Sequence, residues 1–224
     1  MVEEFFQRNA RPLWALKIAT TLDGAMADYR GISKWITGKN ARQVVMQQRN
    51  QFPAILVGCH TVFIDNPSLT IRNHQGQTIG CPKRLILDGH NRLLSKIDFL
   101  NVFTDSYSHQ TIYCHGQPIP SSIQKNLATN NVTLLQLPLV AEHLSLSVLN
   151  AYLLEQGIQG IYIEAGPHLA PALLKQNRID YLYHFRGAKI IGDRRALHFN
   201  APYTWKQFTT TLWDGDFLQE GWLK

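Results

Sequence analysis

A lysine stands in the middle of an apolar stretch, Leu13-Trp-Ala-Leu-Lys-Ile-Ala. A charge there is costly unless it is paired or put to chemical use. Lys17 is therefore either a group at an active-site edge or a side chain snorkelling from an edge strand. A carboxylate, Glu164, closes a second apolar stretch, Gly160-Ile-Tyr-Ile. At the carboxyl end of a parallel strand it would lie where α/β sheets bind ligands; otherwise it is a solvated strand end. No Ser-His-Asp order and no thiol–imidazole pair stands out. A reaction that asks little of the protein's own groups fits this chain better than hydrolysis does. Hydride transfer, in which a cofactor carries the hard chemistry, is one.

The other polar candidates are ambiguous one by one. Gly166-Pro167 joins a strand to a helix, where backbone N–H groups can meet an anion, though Gly-Pro also simply starts helices. Gly-x-Gly-x-x-Gly is absent, so a nucleotide site would be of another kind. Arg49 and Arg72 could grip a phosphate or decorate the surface. Trp35 could stack on a planar ring or fill core. Ser33 could donate a hydrogen bond or shape its loop. Asp23, before Gly24, has the chemistry of a turn residue. Thr61 and Asp65 could touch a cofactor or cap a short helical turn.

The elements that must carry these groups alternate. Leu13–Ala19, Ala54–Gly58, Arg84–Asp88, Gln110–Cys114, Val132–Leu137 and Gly160–Glu164 read as strands. Helices are predicted from Thr37 as N-cap to about Asn50, over Ser145–Gln156 and over His168–Gln176, with a helical turn at His60–Asp65. Ile179–Phe185, Gln207–Leu212 and Phe217–Leu223 supply late strands, the last two meeting at Asp214-Gly215, a hairpin signal. Asn73–Lys83 and Ser106–Asn131 read as loops around short elements. The pattern predicts an α/β fold: a mixed, mostly parallel sheet flanked by helices, with an antiparallel C-terminal hairpin. No repeat or linker divides residues 1–224, so one domain is expected.

Composition narrows the function further. Net charge is +6, but the basic residues are scattered, without the stripe of a nucleic-acid surface. A site for an anionic small molecule accounts for the excess equally well. Three distant cysteines, Cys59, Cys81 and Cys114, make no disulfide framework and suit a reducing cytoplasm. His60, His115 and His168 stand alone, without metal spacing, so no metal is expected. No apolar run approaches the roughly 20 residues of a membrane helix, and the acidic start Met-Val-Glu-Glu is no signal peptide.

Taken in order, Lys17–Gly24, Ser33-Lys-Trp-Ile-Thr, Ala54–Gly58, Thr61-Val-x-x-Asp-Asn-Pro-x-Leu-Thr-x-Arg, Arg84–Asp88, Glu164-Ala-Gly-Pro-x-Leu-Ala and Lys189-Ile-Ile-Gly resemble the reductase domain of the bifunctional riboflavin-biosynthesis deaminase/reductase. The resemblance runs from Arg11 to Gly192. It implies a dihydrofolate-reductase-like fold, a homodimer, and NADPH as hydride donor. The implied substrate is 5-amino-6-(5-phosphoribosylamino)uracil, whose ribose is reduced to a ribityl chain.

By motif, the resemblance places Ser33, Arg49, Leu69, Arg72 and Glu164 at the substrate. Ala19, Trp35, Thr61, Asp65 and the turn Gly166, Pro167, His168, Leu169, Ala170, Pro171, Ala172 would hold NADPH. Lys17 and Glu164 would be catalytic, with Lys17 orienting or protonating the opening ribose. The deaminase signatures His-x-Glu and Pro-Cys-x-x-Cys occur nowhere in these residues, which read as a stand-alone reductase, a processed fragment or a paralogue. Phe185-Arg-Gly-Ala and His60 depart from the family pattern. The alternatives are a same-fold reductase of another pyrimidine or a pterin, and a non-catalytic dinucleotide-binding protein.

Overall fold

The structure, a computed structural model, describes residues 1–31, 36–213 and 215–224. The chain divides into two compact units, Met1–Pro12 with Asn50–Ile161 and Leu13–Arg49 with Tyr162–Lys224. The expected fold class is the one observed: helices and a mixed, mostly parallel set of strands, with an antiparallel pair at the C-terminus.

In the first unit Ala54–Gly58, Lys83–Asp88, Thr111–His115 and Thr133–Gln136 pair in parallel, in that order. Ile55, Leu56, Leu85 and Ile86 are fully buried. Such continuous apolar runs are what strands covered on both faces require. Helix Leu146–Glu155 buries Leu149 and Leu153, and its N-cap Ser145 accepts a hydrogen bond from the Val148 amide, as an N-cap serine should.

Several elements here were not specified by the sequence reading, among them the helical segments Leu94–Phe99 and Asn101–Thr104. Ser106–Asn131, read as loops around short elements, holds a nine-residue helix, Ser121–Thr129. It buries a single side chain, Leu127, so it has almost no apolar periodicity to betray it; Pro120 just before it was the available sign. Helix Val2–Asn9 was not predicted either; it buries nothing, although Val2, Phe5 and Phe6 fall at helical spacing. Leu139–Val140 pairs with His143–Leu144 through a turn in which Ala141 and Glu142 both take positive φ. Neither is a residue that announces such a turn.

In the second unit the order is Trp205–Trp213, Asp216–Leu223, Tyr181–Arg186, Leu13–Thr20, then the end of Gly160–Glu164. Leu13–Thr20 runs parallel to Tyr181–Arg186, with Lys17 opposite Tyr183 and Ala19 opposite Phe185. The C-terminal hairpin is antiparallel, with Gly215 at φ +87° in its turn; Asp214 lies outside the described residues. At Gly187 a Cβ would sit 1.8 Å from the Ile36 carbonyl oxygen, so only glycine fits. Helix Lys39–Arg49 begins two residues after the predicted cap, Thr37, and the Gly38 amide donates to the Asp216 carboxylate at 2.5 Å.

Candidate active site

The opening strand explains where a site can form. Leu13 to Leu16 are buried, but Lys17 and Ala19 are only half-buried while Ile18 and Thr20 are closed off. Side chains two apart share a face of a strand. The carboxyl half of this strand is thus open on one face, and that face carries the ammonium group.

Glu164 and Arg49 complete the cluster. Arg49 Nε donates to Glu164 Oε1 at 2.5 Å and Nη2 to Oε2 at 2.9 Å. The two side chains are 12% and 18% exposed, so this bidentate pair is shielded in a way surface pairs are not. Its neighbours repeat the theme. Tyr162, two residues before Glu164 and on the same strand face, donates its hydroxyl to Gln48 Oε1 at 2.6 Å. Gln48 immediately precedes Arg49. Two successive helix residues thus hold two alternate strand residues, and the end of helix Lys39–Arg49 is fastened to the strand end. Gln48 and Tyr162 were not anticipated as site residues; a polar residue on the buried face of the helix, with Ala41 and Val45, was the signal.

The electrostatics follow. Burial pushes the Glu164 carboxyl up, but the Arg49 guanidinium beside it, with help from Lys17, outweighs this and holds it below the usual carboxylate range. For Lys17, burial is the largest influence and lowers its pKa; Glu164 opposes the fall and Arg49 adds to it. The net is an ionised carboxylate next to a lysine that releases its proton more readily than an ordinary one. This combination can hold or deliver a proton near a reacting centre.

Behind the strand lies a second polar arrangement that was not predicted. His184 is 3% exposed. Its Nε2 is 2.9 Å from the Thr20 hydroxyl and its Nδ1 2.9 Å from the Tyr203 hydroxyl. Desolvation, with Arg186 nearby, pushes its pKa down to about 3; it is a neutral, structural histidine.

Asp23 does more than shape its own turn. It accepts from the Thr21 hydroxyl at 2.5 Å and from the Ile191 and Gly192 amides at 3.3 and 2.9 Å. These bonds, that to Thr21 first, lower its pKa to about 2. Two motifs far apart in sequence, Thr21-Leu-Asp-Gly and Lys189-Ile-Ile-Gly, are one tied structure.

After Glu164 come half-buried Gly166 and Pro167 and exposed His168, then, at the start of the next helix, half-buried Leu169, Pro171 and Ala172 and buried Ala170. No side chain caps the N-terminus of this helix, Leu169–Lys175. Ser33 and Trp35 lie outside the described residues.

The remaining candidates belong to the other unit. Thr61, half-buried, and Asp65, exposed, ride helix Cys59–Asp65. Leu69 is 2% exposed, so its side chain is interior and only its backbone can meet a ligand. Arg72 is exposed in a two-residue strand paired to Thr78–Gly80. Cys59 and Cys114 are pushed up to about 11 and 12 by burial, which leaves neither thiol primed as a nucleophile. Among the described residues no group of His, Cys, Asp and Glu could hold a metal ion, and no helix is long and apolar enough to cross a membrane.

Comparison with known proteins bears on this geometry. Residues 12–207 match the family described as RibD C-terminal domain. The chain is 32% identical over 203 residues to riboflavin biosynthesis protein RibD of Escherichia coli strain K12, covering 85% of this chain and 52% of that protein. It spans about half the length of the curated relatives it matches. Acinetobacter baumannii RibD, form 1, superposes with a TM-score of 0.77 at 27% identity, covering 98% of this chain and 60% of that one. The diaminohydroxyphosphoribosylaminopyrimidine deaminase/5-amino-6-(5-phosphoribosylamino)uracil reductase of Thermotoga maritima does so with a TM-score of 0.75 at 28% identity, covering 98% and 58%.

Proposed function

The chain belongs to the RibD C-terminal domain family, and on that premise we propose that it is an NADPH-dependent reductase of riboflavin biosynthesis. Its substrate is 5-amino-6-(5-phosphoribosylamino)uracil, reduced at the ribose to the ribityl form, and residues 1–224 act as one reductase domain. The observation that carries the reading is the cluster of Lys17, Arg49 and Glu164, a proton donor on strand Leu13–Thr20 and a fixed anion at the end of the neighbouring strand Gly160–Glu164.

The residues fit the cofactor. An uncapped helix N-terminus preceded by Gly166 and Pro167 offers backbone donors to a phosphate. Small, half-buried side chains, Ala19 on the strand and Ala172 on the helix, leave room for flat rings. Thr61 and Asp65, and Trp35 by motif, complete the proposed NADPH set. When bound, NADPH supplies the hydride.

The protein's own groups manage charge and protons. As the sugar ring opens, its oxygen must leave the anomeric carbon with a proton, and the carbon–nitrogen bond gains positive character. Lys17, made acidic by burial, donates the proton. Glu164, kept anionic by Arg49, stabilises the developing cation. In this arrangement Arg49 spends two donors on Glu164, so it serves the substrate through that carboxylate, while exposed Arg72 is the phosphate ligand. By motif, Ser33 and Leu69 complete the proposed substrate set.

The assay is NADPH oxidation with the phosphoribosylaminopyrimidine, offered in its amino and its oxo form, with mass spectrometry of the product. A gain of two hydrogens in the sugar is the expected result. Oxidation only with another pyrimidine or a pterin would transfer the assignment to that substrate. NADPH binding with no oxidation would make the chain a dinucleotide-binding protein. A homodimer in the cytoplasm belongs to the same reading. Strand Trp205–Trp213, at the end of its sheet order, exposes Phe208 and Leu212, and analytical ultracentrifugation tests the assembly.

A further inference from the structure

Arg84 is fully buried, yet its guanidinium loses none of its hydrogen bonding. Nε donates to the Thr111 hydroxyl at 2.9 Å. Nη1 donates to Asp105 Oδ2 at 2.8 Å and to the Ser68 carbonyl at 3.0 Å. Nη2 donates to Asp105 Oδ1 at 3.0 Å and to the Val102 carbonyl at 2.9 Å. A guanidinium has five N–H groups, and each has a partner. A buried charge this completely satisfied is a device for holding several backbone segments in one place.

One of those segments is the loop that leads to Arg72. The next residue after Ser68 is Leu69, held at φ +53°, a region that leucine avoids and that persists only when the surroundings impose it. The Ser68 carbonyl and the Leu69 amide share one rigid peptide plane. Fixing that carbonyl fixes one side of the Leu69 φ rotation. The Leu69 side chain then points inward, 2% exposed, and Arg72, three residues on, is exposed.

We propose that Arg84 is a positioning residue for substrate binding: by holding the Ser68 carbonyl it imposes the left-handed Leu69 and so presents Arg72 to the substrate's phosphate. This rests on the reductase reading above. Its contribution is preorganisation. Without Arg84 the loop samples other conformers, and substrate binding must bear the ordering cost. The effect therefore falls on KM for the phosphorylated pyrimidine, and neither NADPH binding nor the hydride step should feel it.

The test is a double-mutant cycle on Arg84→Lys and Arg72→Ala, read by KM, kcat and NADPH Kd, with amide exchange followed over residues 66–72. Lysine keeps a charge opposite Asp105 but not the fork. In Arg84→Lys, KM for the phosphorylated pyrimidine should rise about tenfold or more while kcat stays within about threefold. Exchange in the loop should accelerate, and Arg84→Lys should add little to Arg72→Ala. Full additivity, or an unchanged KM, would overturn the proposal and leave Arg84 a purely structural residue. Should Arg84→Lys not fold, Thr111→Val, which removes only the Nε acceptor and one further bond, must show a smaller shift of the same sign. If the wild-type protein does not reduce this pyrimidine, the functional reading fails. The exchange data then still decide whether Arg84 holds the loop.

Discussion

Arg49 and Glu164, 115 residues apart, meet in a bidentate pair at 2.5 and 2.9 Å, and Lys17 titrates in the field of both. The pair acts on Lys17 in opposite senses. Glu164→Gln removes the charge that raises the Lys17 pKa, so the alkaline limb of the kcat profile should move to lower pH. Arg49→Gln removes a charge that lowers it, so the limb should move to higher pH. Each should also lower kcat by about 10²- to 10⁴-fold, the usual weight of positioned acid–base catalysis. Shifts of the same sign in both variants would rule out Lys17 as the titrating group.

Lys17→Met trades activity for stability. kcat should fall by at least about 100-fold with NADPH affinity unchanged, and full turnover would end the proton-donor role. The folded pKa of Lys17 is lowered, so the unfolded chain keeps that proton up to about 10.5 while the folded one releases it earlier. Wild-type stability therefore rises with pH through that window. The methionine variant should melt higher at neutral pH and lose this contribution to the rise.

His184 makes a prediction on the acid side. Its folded pKa is about 3 against 6.5 for the free group. The unfolded histidine binds a proton below 6.5 while the folded one stays neutral, so stability falls as pH drops from about 6.5 towards about 3. The slope is at most about 1.4 kcal/mol per pH unit. Urea midpoints across this range should show a shallower fall in His184→Gln, which cannot titrate but can still bond to Thr20 and Tyr203.

Gly187 tests the departure from the family pattern at Phe185-Arg-Gly-Ala. A methyl group there would collide with the Ile36 carbonyl, and backbone can yield only by shifting as a segment. Gly187→Ala should cost about 1–3 kcal/mol or more in a urea titration. A neutral result would mean that the contact relaxes freely.

Much of this was legible in the residues alone. The alternation of strands and helices and the apolar strand that carries Lys17 follow from local periodicity, and the C-terminal hairpin from its turn signal before Gly215. Periodicity acts between residues a few positions apart, and it fails where it is weak, as in Ser121–Thr129 with its one buried leucine. The family motifs carried the assignment of Lys17, Glu164 and Arg49 to one site.

Who partners whom was decided by the tertiary structure. Arg49 read as either a phosphate ligand or a surface arginine, and strand register and helix placement set it on Glu164 and Gln48 against Tyr162. Asp23 read as a turn residue, but it also binds the amides of Ile191 and Gly192. The spacing of two charged residues in sequence says nothing about their distance once the chain crosses from strand to helix and back. The pKa of Lys17 depends on burial and on two charges that only the fold brings near it. The sequence by itself therefore determined the class of fold and named the candidate groups; the packing decided the electrostatic setting and the partners of Lys17, Arg49 and Glu164.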